Sequence, residues 1–190
     1  LSASLFMFMS AGLFAQTALT YENNALLPGD ASTYREIQYV DPGNAGPNQI
    51  WDYSKIQYVG KSSVSSMQTA SVQKTAGAGD YNVVLTESGY DYFLSSSANR
   101  LEERGYVNAE KKISLVYSDP VVKMKYPFFF GEQYSDPFTC VAYYDGKTRI
   151  DFSGNCTTAA DAYGTLILPD MVIKNALRVK TVKKGLQINQ

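Results

Sequence analysis

Runs of Tyr and Phe beside Val, Ile and Thr recur along the chain, and turn formers interrupt them every 8–14 positions. That spacing predicts an all-β fold of short antiparallel strands. Alternation is clearest near the C-terminus. Leu166 and Leu168 share one face, and Leu177 and Val179 point opposite to Arg178 and Lys180, so residues 165–168 and 177–181 are expected to pair as a hairpin. Further strands are predicted at 34–40, 50–53, 64–69, 81–87, 90–95, 104–107, 113–117, 121–125, 139–144 and 148–152. Ser88-Gly89 and Ser96-Ser97-Ala98-Asn99 supply tight connections. Residues 99–112 are the one stretch that competes as a helix, and Gly105 in their middle argues against it. Two Pro and two Gly make 41–48 an irregular loop, and 62–79 is a polar, small-residue stretch. Alternation resumes at 183–190, which reads as a strand that continues beyond Gln190. The expected architecture is an antiparallel, jelly-roll-like β-sandwich over residues 16–190, a single domain truncated at its C-terminus.

The first twenty residues break this pattern. They carry no charge, and Leu5-Phe6-Met7-Phe8-Met9 with Leu13-Phe14 make them strongly apolar. The apolar part is about 15 residues long, short of the roughly 20 that span a bilayer. It ends in small residues at Ser10-Ala11-Gly12 and at Ala15-Gln16. This is the form of a signal peptide cleaved after Ala15, with a buried core helix as the alternative. No second run approaches spanning length, so the mature chain is expected to have no membrane span and to be secreted or held at the cell surface.

Composition narrows the chemistry. Lys and Arg total 17 against 18 Asp and Glu, a net charge of −1, which lacks the basic footprint of a nucleic-acid binder. The chain has no His, so Ser-His-Asp and Cys-His catalysis, His-ligated zinc and His-based pH switching cannot be assembled from it. No cofactor is expected.

Export makes the two cysteines informative. Cys140 and Cys156 form an even pair in an oxidising compartment, and a disulfide between them would stabilise the fold by about 3 kcal/mol through loop closure. A two-residue turn at Asp145-Gly146 pairs Cys140 with Asp151, so a bridge requires a bend at Ser153-Gly154-Asn155 to bring Cys156 back. Two free buried thiols are the alternative.

Catalysis would have to rely on carboxylates, Lys, Tyr or Ser. Asp41, Asp52, Asp91, Glu102, Glu103, Asp136, Asp151 and Asp161 are the candidates for paired-carboxylate glycoside hydrolysis, yet none stands in a motif that fixes its partner. Glu102-Glu103 beside Arg100 and Arg104 reads as a solvated, charge-mixed edge. Asp41, Asn44, Asn48 and Asp52 fall in one loop but lack the order of a calcium loop, so a turn-stabilising role is expected and no metal site. Trp51, the single tryptophan, is expected in the core. The densest aromatic run is Tyr126-Pro127-Phe128-Phe129-Phe130, with Tyr134 and Phe138 nearby. Core packing accounts for half of it, and the remainder makes Tyr126, Phe128, Phe129, Phe130 and Tyr134 the candidate contact platform for a glycan or a surface protein.

Several of these segments carry a resemblance. Gly29-Asp30, Tyr34, Asp41-Pro42-Gly43, Gly46, Asn48-Gln49 and Trp51-Asp52-Tyr53-Ser54 resemble the opening of exported Bacteroidetes proteins, many of which end in a sorting domain for type IX secretion. Tyr126-Pro127-Phe128, Gly131, Ala160-Asp161, Tyr163-Gly164-Thr165-Leu166, Leu168-Pro169 and Leu177-Arg178-Val179-Lys180 are similar to later blocks of that pattern. The resemblance implies an extracellular or envelope-exposed β-rich domain and transfers no catalytic residue. The expectation is a non-enzymatic binding, adhesion or structural module of a surface protein. A carbohydrate-active hydrolase is the alternative.

Overall fold

The computed structural model describes residues 18–59, 64–71 and 81–188; the expected signal peptide and most of the 62–79 stretch lie outside them. The order is β1 (Ala18–Leu19), α1 (Tyr21–Asn24), β2 (Ala31–Arg35), β3 (Gly46–Asp52), β4 (Val64–Ser71), β5 (Val83–Glu87), β6 (Tyr90–Ser97), β7 (Arg100–Asn108), β8 (Ile113–Lys125), β9 (Phe128–Phe129), β10 (Gln133–Tyr144), β11 (Thr148–Ile167) and β12 (Val172–Ile188). The all-β class expected from the strand formers and turn spacing is what the chain forms. Among the described residues no helix is long and apolar enough to cross a membrane, which leaves membrane crossing by strands unaddressed.

Ten strands share one hydrogen-bonded sheet in the order β12-β11-β10-β8-β7-β6-β5-β4-β2, with β3 added beside β11, while β1 and β9 form a separate two-stranded ribbon. The layers expected of a sandwich are therefore not two separately bonded sheets. All pairings are antiparallel except β3 with β11. Sequence neighbours pair because short turns join them: Ser88 and Gly89 both adopt positive φ between β5 and β6, as a tight hairpin turn requires.

The strands run longer than the sequence pattern indicated. The two strands predicted at 113–117 and 121–125 are one strand, β8, which continues through Pro120 while its register against β10 shifts at Thr139/Cys140. Likewise 148–152 and 165–167 belong to the 20-residue β11, which ends one residue before Leu168 and is bent by register shifts at Ala160/Ala162 and Gly164/Leu166. Such shifts insert a residue, reverse the facing pattern and let one strand serve two neighbours. In this way β11 pairs with β10 through Thr148–Ala159 and with β3 through Ala162–Ile167.

Two apolar clusters hold the sheet. Leu115, Tyr117, Val121, Phe138, Cys140, Ala142 and Cys156 form one. Val83, Leu94, Leu101 and Tyr126 form the other, with Tyr21 and Leu26 packed on it from the N-terminal segment.

The expected disulfide is absent. Cys140 and Cys156 are both buried and free. The turn leaves Asp145, Gly146 and Lys147 unpaired and sets Tyr144 opposite Thr148, so Cys140 faces Phe152 and Cys156 faces Asp136. Ser153-Gly154-Asn155 continues as strand, which separates the two thiols by four residues of rise, roughly 13 Å, well beyond bridging distance. Straight pairing keeps the backbone ladder continuous from Gln133 to Tyr144 against Thr148 to Ala159, where a bend would leave buried amides without partners.

Candidate functional site

The face shared by β7, β8, β10, β11 and β12 holds a cavity of about 280 Å³. Its walls follow from the register. Cys140 lies opposite Tyr117 on one side and Phe152 on the other, and Ala142 opposite Leu115; directly paired residues project from the same face. Tyr106 joins them across β7 and β8, paired with Leu115. The fifth wall depends on two glycines. Gly154 and Gly185 face each other across β11 and β12, and a Cβ on Gly154 would lie 2.5 Å from the ring of Phe138. Their bare backbone lets Phe138 lie over both strands, edge-on to Tyr117 with ring centres 5.9 Å apart.

Charge enters from β12. Lys183 projects its Nζ 4.8 Å from the ring centres of both Tyr117 and Phe138, a cation over two aromatic faces, and it donates a hydrogen bond to the Tyr117 hydroxyl. That hydroxyl donates in turn to Oε1 of Glu103 at 3.0 Å, and Oε2 of Glu103 lies 3.0 Å from Nζ of Lys123. Glu103 is thus held by two partners. Among the described residues no carboxylate pairs with Lys183. Burial, then the Glu103 charge, push the Tyr117 phenol far above its usual range. Burial raises Tyr106 to about 12 and lifts the Cys140 thiol, against the opposing pull of Lys183. At neutral pH the cavity therefore presents neutral phenols, a neutral thiol and one ammonium.

Glu102 and Glu103 do not form the solvated edge expected from their flanking arginines. They are 8% and 5% exposed in the central strand β7. Register shifts at Leu101/Glu102 and Glu103/Gly105 interrupt the alternation there. Arg100 and Arg104 neutralise Glu102 at 3.0 and 2.7 Å, as a buried carboxylate requires.

The remaining candidate carboxylates are engaged one by one. Asp161 receives Nε and Nη2 of Arg178 at 2.7 and 3.0 Å. Asp151 binds Arg149, Asp136 accepts the Val122 amide, and Asp91 accepts the Thr86 hydroxyl. Asp41 and Asp52 accept the amides of Gly43 and Ser54, two residues on in each case, the turn-stabilising role expected of them. Hydrogen bonds from Ser54 hold Asp52 below the usual carboxylate range. No group of three or more Cys, Asp or Glu that could hold a metal ion occurs among the described residues.

A second cavity of about 330 Å³ lies where β3 meets β11 and β12, lined by Pro42, Trp51, Tyr53, Leu166, Leu177 and Arg178 among others. Besides Asp161, Arg178 binds the carbonyl oxygens of Pro42 and Gly43 at 2.9 and 2.6 Å. The Tyr53 hydroxyl donates to the Asp41 carbonyl at 3.0 Å. Gly43, at φ 77°, lets Trp51 pack where a Cβ would lie 2.7 Å from Cδ1 of the indole. The tryptophan is 7% exposed, in the core as expected. The Asp41-Pro42-Gly43, Trp51-Asp52-Tyr53, Ala160-Asp161 and Leu177-Arg178 blocks, far apart in the chain, thus converge on one clamp.

The aromatic run at 126–134 comes together, though chiefly as packing. Tyr126 and Phe128 are buried at 7% and 2% exposure, and Phe129, Phe130 and Tyr134 are half-buried. Tyr126 meets Tyr21, Phe128 meets Tyr134 and Phe130 meets Tyr163, all edge to face. The N-terminal β1 covers β9 by pairing Leu19 with Phe128 and Ala18 with Phe129. Tyr126, Phe128 and Tyr134 also line an open depression of about 380 Å³ together with Lys125, Glu132 and Gln133, with Lys125 4.6 Å above the Tyr134 ring. Phe129, Phe130 and Tyr134 each keep part of their surface open.

The sequence reading passed over Tyr106, Tyr117 and Lys183. Lys183 sits in a Lys-Lys pair and is exposed, and only its pairing opposite Cys156 brings its ammonium back over Tyr117 and Phe138. Comparison with protein-family models, with curated proteins and with solved structures finds no match for this chain.

Proposed function

We propose that this chain is an exported, non-enzymatic β-rich module that binds a ligand on its sheet face as part of a surface-associated protein. One observation carries the reading: the aromatic-walled cavity is edged by an exposed lysine, Lys183, that has no carboxylate partner among the described residues, while every candidate carboxylate is held in a structural contact. Acid–base chemistry by paired carboxylates needs one carboxyl poised as acid and another free as base or nucleophile. Here each is tied to an arginine, a lysine, a hydroxyl or a backbone amide. Export is supported by the apolar, uncharged opening that ends in Ala15-Gln16, and the partner is a small ligand, a glycan or another surface protein.

The test has two arms. The protein is expressed with its N-terminal segment in a Gram-negative host, and the mature N-terminus is sequenced. Cleavage before Gln16 is expected, and retention of residues 1–15 in the cytoplasm overturns the export reading. Purified protein is then screened against chromogenic glycosides and on a glycan array. Turnover abolished by Glu103→Gln or Asp161→Asn overturns the non-enzymatic reading.

A further inference from the structure

We infer that the cavity between β7, β8, β10, β11 and β12 is a binding site for a small ring-bearing monocarboxylate, seated on the aromatic walls with its carboxylate at Lys183. The inference deepens the binding reading above and rests on it.

Three features of the site select this chemistry. The first is charge. Lys183 and Lys123 bring two positive charges and Glu103 one negative charge, and Glu103 is engaged by Lys123 and Tyr117. The ammonium of Lys183 has the Tyr117 hydroxyl and two ring faces as neighbours. A ligand carboxylate would give it the charged acceptor that the described residues do not provide, a charge-assisted contact stronger than a neutral one. A cationic ligand would meet Lys183 already lying over the two rings it would seek.

The second is polarity. Around the ammonium the lining is Tyr106, Leu115, Phe138, Ala142, Tyr144 and Phe152 with the Cys140 thiol and the Tyr117 hydroxyl. A sugar needs many convergent donors and acceptors, and this lining would leave most of its hydroxyls unpaired. A ring with one polar end loses nothing there and gains edge and face contacts.

The third is size. At about 30 Å³ per small-molecule unit, the share of one water in the liquid, the 280 Å³ cavity takes on the order of ten non-hydrogen atoms. That is the size of phenylacetate. A fatty acid or a disaccharide would extend past the cavity into solvent.

The experiment titrates the folded protein calorimetrically with phenylacetate and with its uncharged isostere phenylacetamide, at pH 7 and low salt. In parallel, alkylation by iodoacetamide is followed by peptide mass mapping, which reads Cys140 and Cys156 separately. Saturable binding of phenylacetate is expected, about tenfold tighter than the amide. Lys183→Met should erase that difference and Lys183→Arg should keep it, with circular dichroism checking that both variants fold. Phenylacetate should slow alkylation of Cys140, which lines the cavity, and leave Cys156 unchanged. Equal affinity for acid and amide, an unaltered preference in Lys183→Met, or no protection of Cys140 overturns the assignment. No saturable binding of either probe overturns it too. In that case, export and a positive glycan array would leave the module reading standing with a different ligand.

Discussion

Tyr117, Tyr106 and Lys183 show how little a residue type says before its neighbours are known. Tyrosine is common in this chain, with 15 copies, yet the phenols at 106 and 117 are held neutral by burial and by the Glu103 charge. A raised phenol pKa has a definite consequence for stability. Below pH 10 the phenol is protonated in both folded and unfolded chains, and its contribution is fully present. From pH 10 to about 12 the unfolded chain releases the Tyr106 proton while the folded one retains it, so stability falls as pH rises. Thermal melts should therefore decline over that interval. Tyr106→Phe should flatten part of the decline and leave the pH dependence below pH 9 unchanged. A variant with the wild-type slope between pH 10 and 12 would remove Tyr106 from the account. The two thiols teach the same lesson at a coarser level: an even cysteine count suggests a bridge, and the unbroken strand through Ser153-Gly154-Asn155 keeps the partners apart.

Among the elements, β11 does the most to organise the molecule. Its register shifts let one strand meet β10 first and β3 afterwards, with β12 along its other side. The parallel approach of β3 depends on Gly164, where a Cβ would lie 1.9 Å from the carbonyl oxygen of Gln49. Backbone cannot yield as a flexible side chain does. Gly164→Ala should therefore cost about 3 kcal/mol or more in urea denaturation and release the 41–52 segment to limited proteolysis. Arg178 fastens the same junction from β12, holding Asp161 and two loop carbonyls. Arg178→Met should cost about 2–3 kcal/mol, since it leaves a half-buried carboxylate and two carbonyls short of donors. In a double-mutant cycle with Asp161→Asn the losses should be less than additive. Additive losses would mean that the two side chains act independently.

For the molecule as a whole, the open edges of the sheet matter most. Within the described residues β12 has β11 on one side and no strand on the other. Its exposed apolar side chains include Leu186 at 78% and Val172 at 58%. Lys174, Lys180, Lys183 and Lys184 punctuate the strand with no acidic residue from 172 to 188, a pattern that discourages edge-to-edge pairing. Replacing Lys180 and Lys184 together by Val should produce concentration-dependent association in sedimentation velocity, with the wild type as reference. Unchanged sedimentation would show that strand twist or neighbouring loops guard the edge instead.

Strand-forming residue types and turn chemistry by themselves determined the all-β class, the connections at Ser88-Gly89 and within Ser96-Ser97-Ala98-Asn99, the strand nature of the Gly105 region and the burial of Trp51, because each depends on preferences within a few residues. They also brought the aromatic run at 126–134 to notice, without showing that Tyr126 and Phe128 are the buried members. Only the tertiary structure decided that Glu102 and Glu103 are both interior, that Asp41, Trp51, Asp161 and Arg178 meet, and that Lys183 reaches Tyr117. These depend on register shifts and on glycine pairs across strands. A one-residue slip reverses every side chain after it, and nothing local to β7, β11 or β12 announces where such a slip falls.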